Sequence, residues 1–150
     1  MRKPGLPRNK WVVRLYRMGL GVVMGRLILL LTATGRKTGL PRVTPLQYER
    51  VGDDLLVASA AGPRADWICN LKKDMRVQVE LGRAHFSAVA ELVEDPDKIC
   101  DFLELRLGRH PRMVGAILRS AGLPRNPQRA QLYEYSRGLT LVLLHPKMNA

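Results

Sequence analysis

Sulfur, aromatic rings and acidic side chains are all scarce in this chain. Only two cysteines occur, Cys69 and Cys100. They lie far apart and form no Cys-x-x-Cys pair, so no disulfide framework is indicated. A reduced, cytoplasmic setting is the simple expectation. Cys69, beside Trp67 in an expected helix, reads as a small packed residue. The three histidines, His85, His110 and His145, show no metal-ligand spacing, so no metal site is expected. Aromatic residues make up 5% of the chain, which argues against a binder that stacks single-stranded bases. A membrane-spanning helix needs about 20 uninterrupted apolar residues, and no such run exists. A secretory signal is not expected either. Arg26 breaks the apolar stretch behind the basic start, and no small-residue cleavage site follows.

The shortage of acid leaves 13 Asp and Glu against 25 Lys and Arg, a formal charge of +12. Such an excess points to an anionic partner: an acidic ligand, an anionic membrane or nucleic acid. No recognition-helix or base-reading motif supports sequence-specific nucleic-acid binding. At 150 residues and 46% hydrophobic, the chain suits one domain over residues 1–150 with a sizeable core.

Read in order, Met1–Lys10 is an expected irregular basic arm. Trp11–Gly25 follows as a basic amphipathic helix, with Trp11, Val12, Leu15, Met18 and Val22 on one stripe and Arg14 and Arg17 between them. Either it packs on the rest of the domain, or it lies on an anionic membrane surface. Strands are expected at Leu27–Leu31, Leu40–Tyr48, Leu55–Ser59, Met75–Leu81 and Ala84–Val93. A short helix over Asp66–Lys73 interrupts them. Consecutive antiparallel strands with short turns suggest a closed or partly closed barrel. Helices are then expected from Asp95-Pro96 to Leu107, from Arg112 to Ala121 and from Asn126-Pro127 to Tyr135. A last strand, Leu139–His145, returns to the sheet.

One turn concentrates the positive charge. Gly35 and Gly39 bracket Arg36, Lys37 and Thr38, and Arg42 follows on the next strand. Three cations, a hydroxyl and exposed backbone N–H groups at one hairpin tip suit a phosphate or carboxylate. A Walker A loop is excluded, because no Gly-Lys-Thr follows a glycine at the required spacing. An ordinary solvated hairpin tip would also be polar and basic.

The run Leu-Leu-Leu-Thr-Ala-Thr-Gly-Arg-Lys-Thr-Gly-Leu-Pro-Arg-Val-Thr-Pro-Leu over residues 29–46 resembles the signature of the deazaflavin (F420)-dependent nitroreductase and quinone reductase family. The resemblance continues through Ala58-Ser59-Ala60-Ala61-Gly62, Trp67-Ile68-Cys69-Asn70-Leu71 and Arg76-Val77-Gln78-Val79. It covers about half the chain and weakens after Ala90. It implies an α+β fold, an antiparallel split β-barrel of the FMN-binding type, with an N-terminal helix and a C-terminal helical insertion. It also implies a ligand, coenzyme F420, and hydride transfer from the reduced deazaflavin to an apolar acceptor such as a quinone or nitro compound. Gly35, Arg36, Lys37, Thr38, Gly39 and Arg42 would hold the anionic tail. Val43, Thr44 and Pro45 would line the cofactor cleft. Ala58, Ser59, Ala60, Ala61 and Gly62 match a second contacting segment, and Trp67 and Asn70 a third. Tyr133 and Tyr135 lie where related enzymes place catalytic tyrosines. This chain departs from many members at Ala60, where they carry lysine or asparagine. Two alternatives stand beside this reading. The same fold would accept FMN or haem, or the protein would be a non-enzymatic basic module on lipid or nucleic acid. An oligomer is compatible with either.

Overall fold

A computed structural model describes residues 7–59 and 61–147. Seven strands build one antiparallel sheet: β1 (Ile28–Thr34), β2 (Pro41–Gln47), β3 (Glu49–Val51), β4 (Asp54–Ser59), β5 (Arg76–Leu81), β6 (Ala84–Val93) and β7 (Thr140–Pro146). Their order across the sheet is β2-β1-β5-β6-β7-β4-β3. The two edge strands are consecutive in the chain. β2 pairs with β1, the chain bends at Tyr48, and β3 then pairs with β4. One continuous segment therefore joins both edges and curls the sheet until β2 lies against β4.

Alternation along the strands sorts side chains into two cores. Leu55 and Val57 of β4 and Val142 and Leu144 of β7 point into the barrel, beside Leu29, Leu31 and Val79. Leu56, Ala58, Leu141 and Leu143 of the same strands point outward. The interior is plugged by α3 (Asp66–Lys73), whose Ile68 and Leu71, three residues apart, are fully buried. Burying such a side chain contributes about 1.5–3 kcal/mol. The outer face is covered by α4 (Pro96–Arg109), α5 (Pro111–Ser120) and α6 (Arg129–Ser136). Asp95 caps α4 by accepting a hydrogen bond from the Asp97 N–H at 3.0 Å, with Pro96 in the first turn. On the surface, Arg129 of α6 reaches Asp101 and Glu104 of α4, each at 2.9 Å.

Several boundaries differ from the sequence reading. β1 runs on to Thr34, because Ala33 and Thr34 pair with Arg42 and Pro41 after the apolar run has ended. Leu27 lies outside the strand and is exposed. The amino-terminal helix is broken into α1 (Pro7–Leu15), a π-type turn (Tyr16–Leu20) and α2 (Gly21–Met24). Gly19, at φ 109°, breaks it. Tyr16 then docks this segment, its hydroxyl donating to the Glu80 carbonyl and accepting from the Gly82 N–H. α4 passes through Gly108, since the break comes only at His110, ahead of Pro111. The last helix starts at Arg129, after Asn126-Pro127, where Gln128 and Gln131 form a reciprocal cap.

Candidate functional site

The β1–β2 hairpin does not close in a minimal turn. Residues 35–40 form a loop held by two internal bonds, the Gly35 N–H to the Leu40 carbonyl and the Gly39 N–H to the Gly35 carbonyl, both 2.8 Å. Gly39 sits at φ +72°, a conformation that strains other residues. The Leu40 N–H donates to Thr38 Oγ1 at 3.2 Å. α3 fastens the other side. Trp67 and Asn70, three residues apart, share the helix face that meets the hairpin. Buried Asn70 accepts from the Arg36 N–H at 3.1 Å and from Arg36 Nη1 at 2.8 Å. Arg36 also pairs with Asp66 at 3.2 Å, and Lys73 Nζ donates to the Arg36 carbonyl.

These bonds divide the expected anion cradle into two roles. The N–H groups of Gly35, Arg36, Gly39 and Leu40 are internally bonded, so the tip offers fewer free N–H donors than the sequence suggested. Arg36 is a structural strut as well as a cation. The side chains of Lys37 and Arg42 are exposed and make no hydrogen bond among the described residues. The result is an open cleft of about 370 Å³ lined by Gly35, Arg36, Lys37, Thr38, Arg42, Val43, Thr44, Asp66, Trp67 and Asn70. Asp66 is the one lining residue that the sequence analysis did not place at the site. Only its pair with Arg36 identifies it. The donor set, two free cations with a hydroxyl beside an indole, fits a phosphate joined to a flat ring.

A second cleft of about 240 Å³ opens farther along β2. Pro45, Leu46 and Gln47 form one wall, with Ala58 of β4 beside them. The other walls come from Phe102, Leu103 and Arg106 of α4, from Val114, Ile117 and Leu118 of α5, and from Tyr135 and Leu139. This lining is mostly apolar. Tyr133 is not among it. Two helix residues differ by about 200° in direction, so Tyr133 faces solvent while Tyr135 faces the cleft.

The remaining predicted residues scatter. Pro45 and Ala58 belong to the apolar cleft, and Gly39 faces a polar groove on the far side of the hairpin. The Ser59 hydroxyl donates to the Gly62 carbonyl at 3.1 Å and shapes its own loop. Gly62, at φ +63°, packs so closely that a Cβ would lie 2.6 Å from the Gly138 carbonyl oxygen. Ala61 is exposed, and Ala60 lies outside the described residues.

A carboxylate absent from the expected site residues lies against Arg106 of the cleft wall. Glu49 of β3 is 4% exposed and is surrounded by Arg106 at 3.4 Å, Arg109 at 3.2 Å and His110 at 3.3 Å. With Arg129 held by the acids of α4, Arg106, Arg109 and Arg129 are all engaged in internal ion pairs, which withdraws part of the positive charge that a basic module would present. At the other end, Arg17 pairs with Glu80 at 2.9 Å, while Met18 stands 73% exposed. No helix among the described residues is long and apolar enough to cross a membrane.

Comparison with known proteins bears on the fold and the family. An F420H2-dependent quinone reductase of Mycobacterium tuberculosis is 42% identical over 74 residues, 46% of this chain and 50% of the relative. The match thus spans about half the length of that relative. Among solved structures, an F420H2-dependent reductase superposes with a TM-score of 0.53 at 19% identity, covering 79% of this chain and 94% of the other. The haem storage protein HutZ of Vibrio cholerae gives 0.55 at 16% identity, covering 95% and 93%. These likenesses establish the split-barrel fold, which hosts unrelated ligands and so does not choose among them. The family model for F420H2-dependent quinone reductase matches residues 9–107, which take in the basic hairpin, α3 and six of the seven strands. Since that match covers more than half of the chain, the chain belongs to the F420H2-dependent quinone reductase family.

Proposed function

We propose that the protein is an F420H2-dependent oxidoreductase whose acceptor is an apolar quinone. One observation carries the reading. Consecutive residues of β2 line two chemically opposite clefts, Arg42–Thr44 the cationic one and Pro45–Gln47 the apolar one. A ligand with an anionic tail and a flat ring, lying along β2, would have its charge at the first and its ring edge facing the second.

The bound deazaflavin supplies the hydride. This chain's residues supply everything else. Lys37 and Arg42 hold the anionic tail, and Thr38 adds a hydroxyl. Arg36, fastened by Asn70 and Asp66, keeps the loop in the shape that presents them. Val43, Thr44 and Pro45 orient the ring. Leu103, Val114 and Leu118 exclude water from the acceptor side. Tyr135 places a phenol in that wall, in position to hold a proton; Tyr133 faces away and is not needed.

The test is a titration of the purified protein with F420 and with FMN at one salt concentration, followed by tryptophan quenching. Tighter binding of F420 is expected. Equal affinity, or a preference for FMN, would overturn the assignment.

A further inference from the structure

Among the described residues, one cation lines the apolar cleft, and its setting is unusual. Arg106 projects from α4 with its side chain only 14% exposed. Its Nη2 donates to Gln47 Oε1 at 2.7 Å and its Nε to Glu49 Oε1 at 3.4 Å. The guanidinium carbon lies 6.0 Å from the centroid of the Phe102 ring, another wall of the same cleft. Among the described residues, Nη1 makes no hydrogen bond.

Neutralising Glu49 does not by itself explain Arg106. Arg109 Nη1 already donates to Glu49 Oε2 at 3.2 Å, and His110 Nε2 lies 3.3 Å from Oε1. The arrangement works more naturally in the other direction. Glu49 and Gln47 hold Nε and Nη2 of a rigid planar fork, which leaves Nη1 as its unpaired donor in a residue that lines the cleft. A lone donor fixed in an apolar wall discriminates strongly, because a ligand without an acceptor atom leaves it unpaired.

We propose that Arg106 determines specificity in the apolar cleft by donating a hydrogen bond from Nη1 to a carbonyl oxygen of a flat quinone. Gln47 and Glu49 are its positioning residues. The inference rests on the reading of this cleft as the acceptor site, but it concerns oxygen recognition and is testable without the cofactor.

The experiment measures binding of menadione and of 2-methylnaphthalene, the same ring system without oxygens, to the cofactor-free protein by calorimetry. The wild type is expected to favour menadione by about ten- to a hundredfold. Arg106→Gln should reduce that preference to within about threefold while 2-methylnaphthalene binds as before. Arg109→Gln, which alters the same carboxylate from outside the cleft, should keep the preference. Glu49→Gln should reduce it part of the way, by freeing the fork. Circular dichroism checks each fold, and Arg106→Lys replaces the glutamine variant if that one does not fold, with the same loss expected. The proposal is overturned if the wild type binds both compounds equally or neither. It is overturned equally if Arg109→Gln loses the preference as fully as Arg106→Gln. Failure of F420 to bind in the separate titration would remove the cofactor assignment and leave this result standing.

Discussion

The two clefts that share β2 are built in opposite ways. The cationic one takes most of its lining from residues 35–44, an unbroken stretch, with α3 as a brace. The apolar one collects residues from β2, β4, α4, α5 and α6 that lie up to ninety positions apart. Charge can be concentrated locally, because cations on a loop need only point the same way and stay in water. An apolar pocket cannot, because its walls must be dry and must come from elements folded against each other. The first should therefore respond to charge changes without losing stability, and the second should lose stability when its walls are cut.

The largest expected effect tests the apolar side. Leu118 is 1% exposed and belongs both to the outer core and to the cleft wall. Leu118→Ala should lower unfolding free energy by about 2–5 kcal/mol. Its F420 affinity, measured below the melting transition, should match the wild type. An equal loss of F420 affinity in the folded variant would mean that the two clefts are not separable.

A smaller effect, and the mirror image, is expected at the hairpin. Lys37→Ala should weaken F420 binding by about ten- to a hundredfold, since a hydrogen bond to a charged group is worth about 1.5–3 kcal/mol. Stability of the ligand-free protein should stay within about 0.5 kcal/mol, as for most surface changes. Unchanged affinity would reduce the tip to a solvated turn. Arg36→Ala sharpens the contrast. It should cost stability as well as affinity, because Arg36 also braces the loop against Asp66 and Asn70.

The smallest effect is one of degree. Raising salt from about 0.1 M to about 1 M shortens the screening length from about 10 Å to about 3 Å. F420 affinity should fall more for the wild type than for Lys37→Ala, while menadione affinity stays constant. A parallel fall in menadione binding would mean that the apolar cleft is not dry.

How legible each part was follows the same division. The helix Asp66–Lys73 and the strand Ala84–Val93 have the bounds the sequence suggested. Their turn residues and periodicity are local. β1 was read too short, because its last residues are fixed by pairing with Pro41 and Arg42, not by their own hydrophobicity. The helix break at Gly19 was missed for a related reason. Glycine only permits a positive φ, and the sequence does not show that Gly19 adopts one beside the contact of Tyr16 with Gly82. Around the hairpin, the residue types were visible but their roles were not. Arg36, Lys37 and Arg42 look alike in sequence, and only the position of Asn70 separates the brace from the free cations.

By itself, then, the sequence determined the charge excess, the antiparallel strands, the basic hairpin and the family resemblance, all set by composition, periodicity or a contiguous motif. The bend at Tyr48 that joins the two sheet edges, the burial of Glu49 among Arg106, Arg109 and His110, and the turning of Tyr135 rather than Tyr133 toward the cleft were decided by tertiary structure. Each depends on which distant surfaces meet when the barrel curls and its helices pack, and no local propensity encodes that meeting.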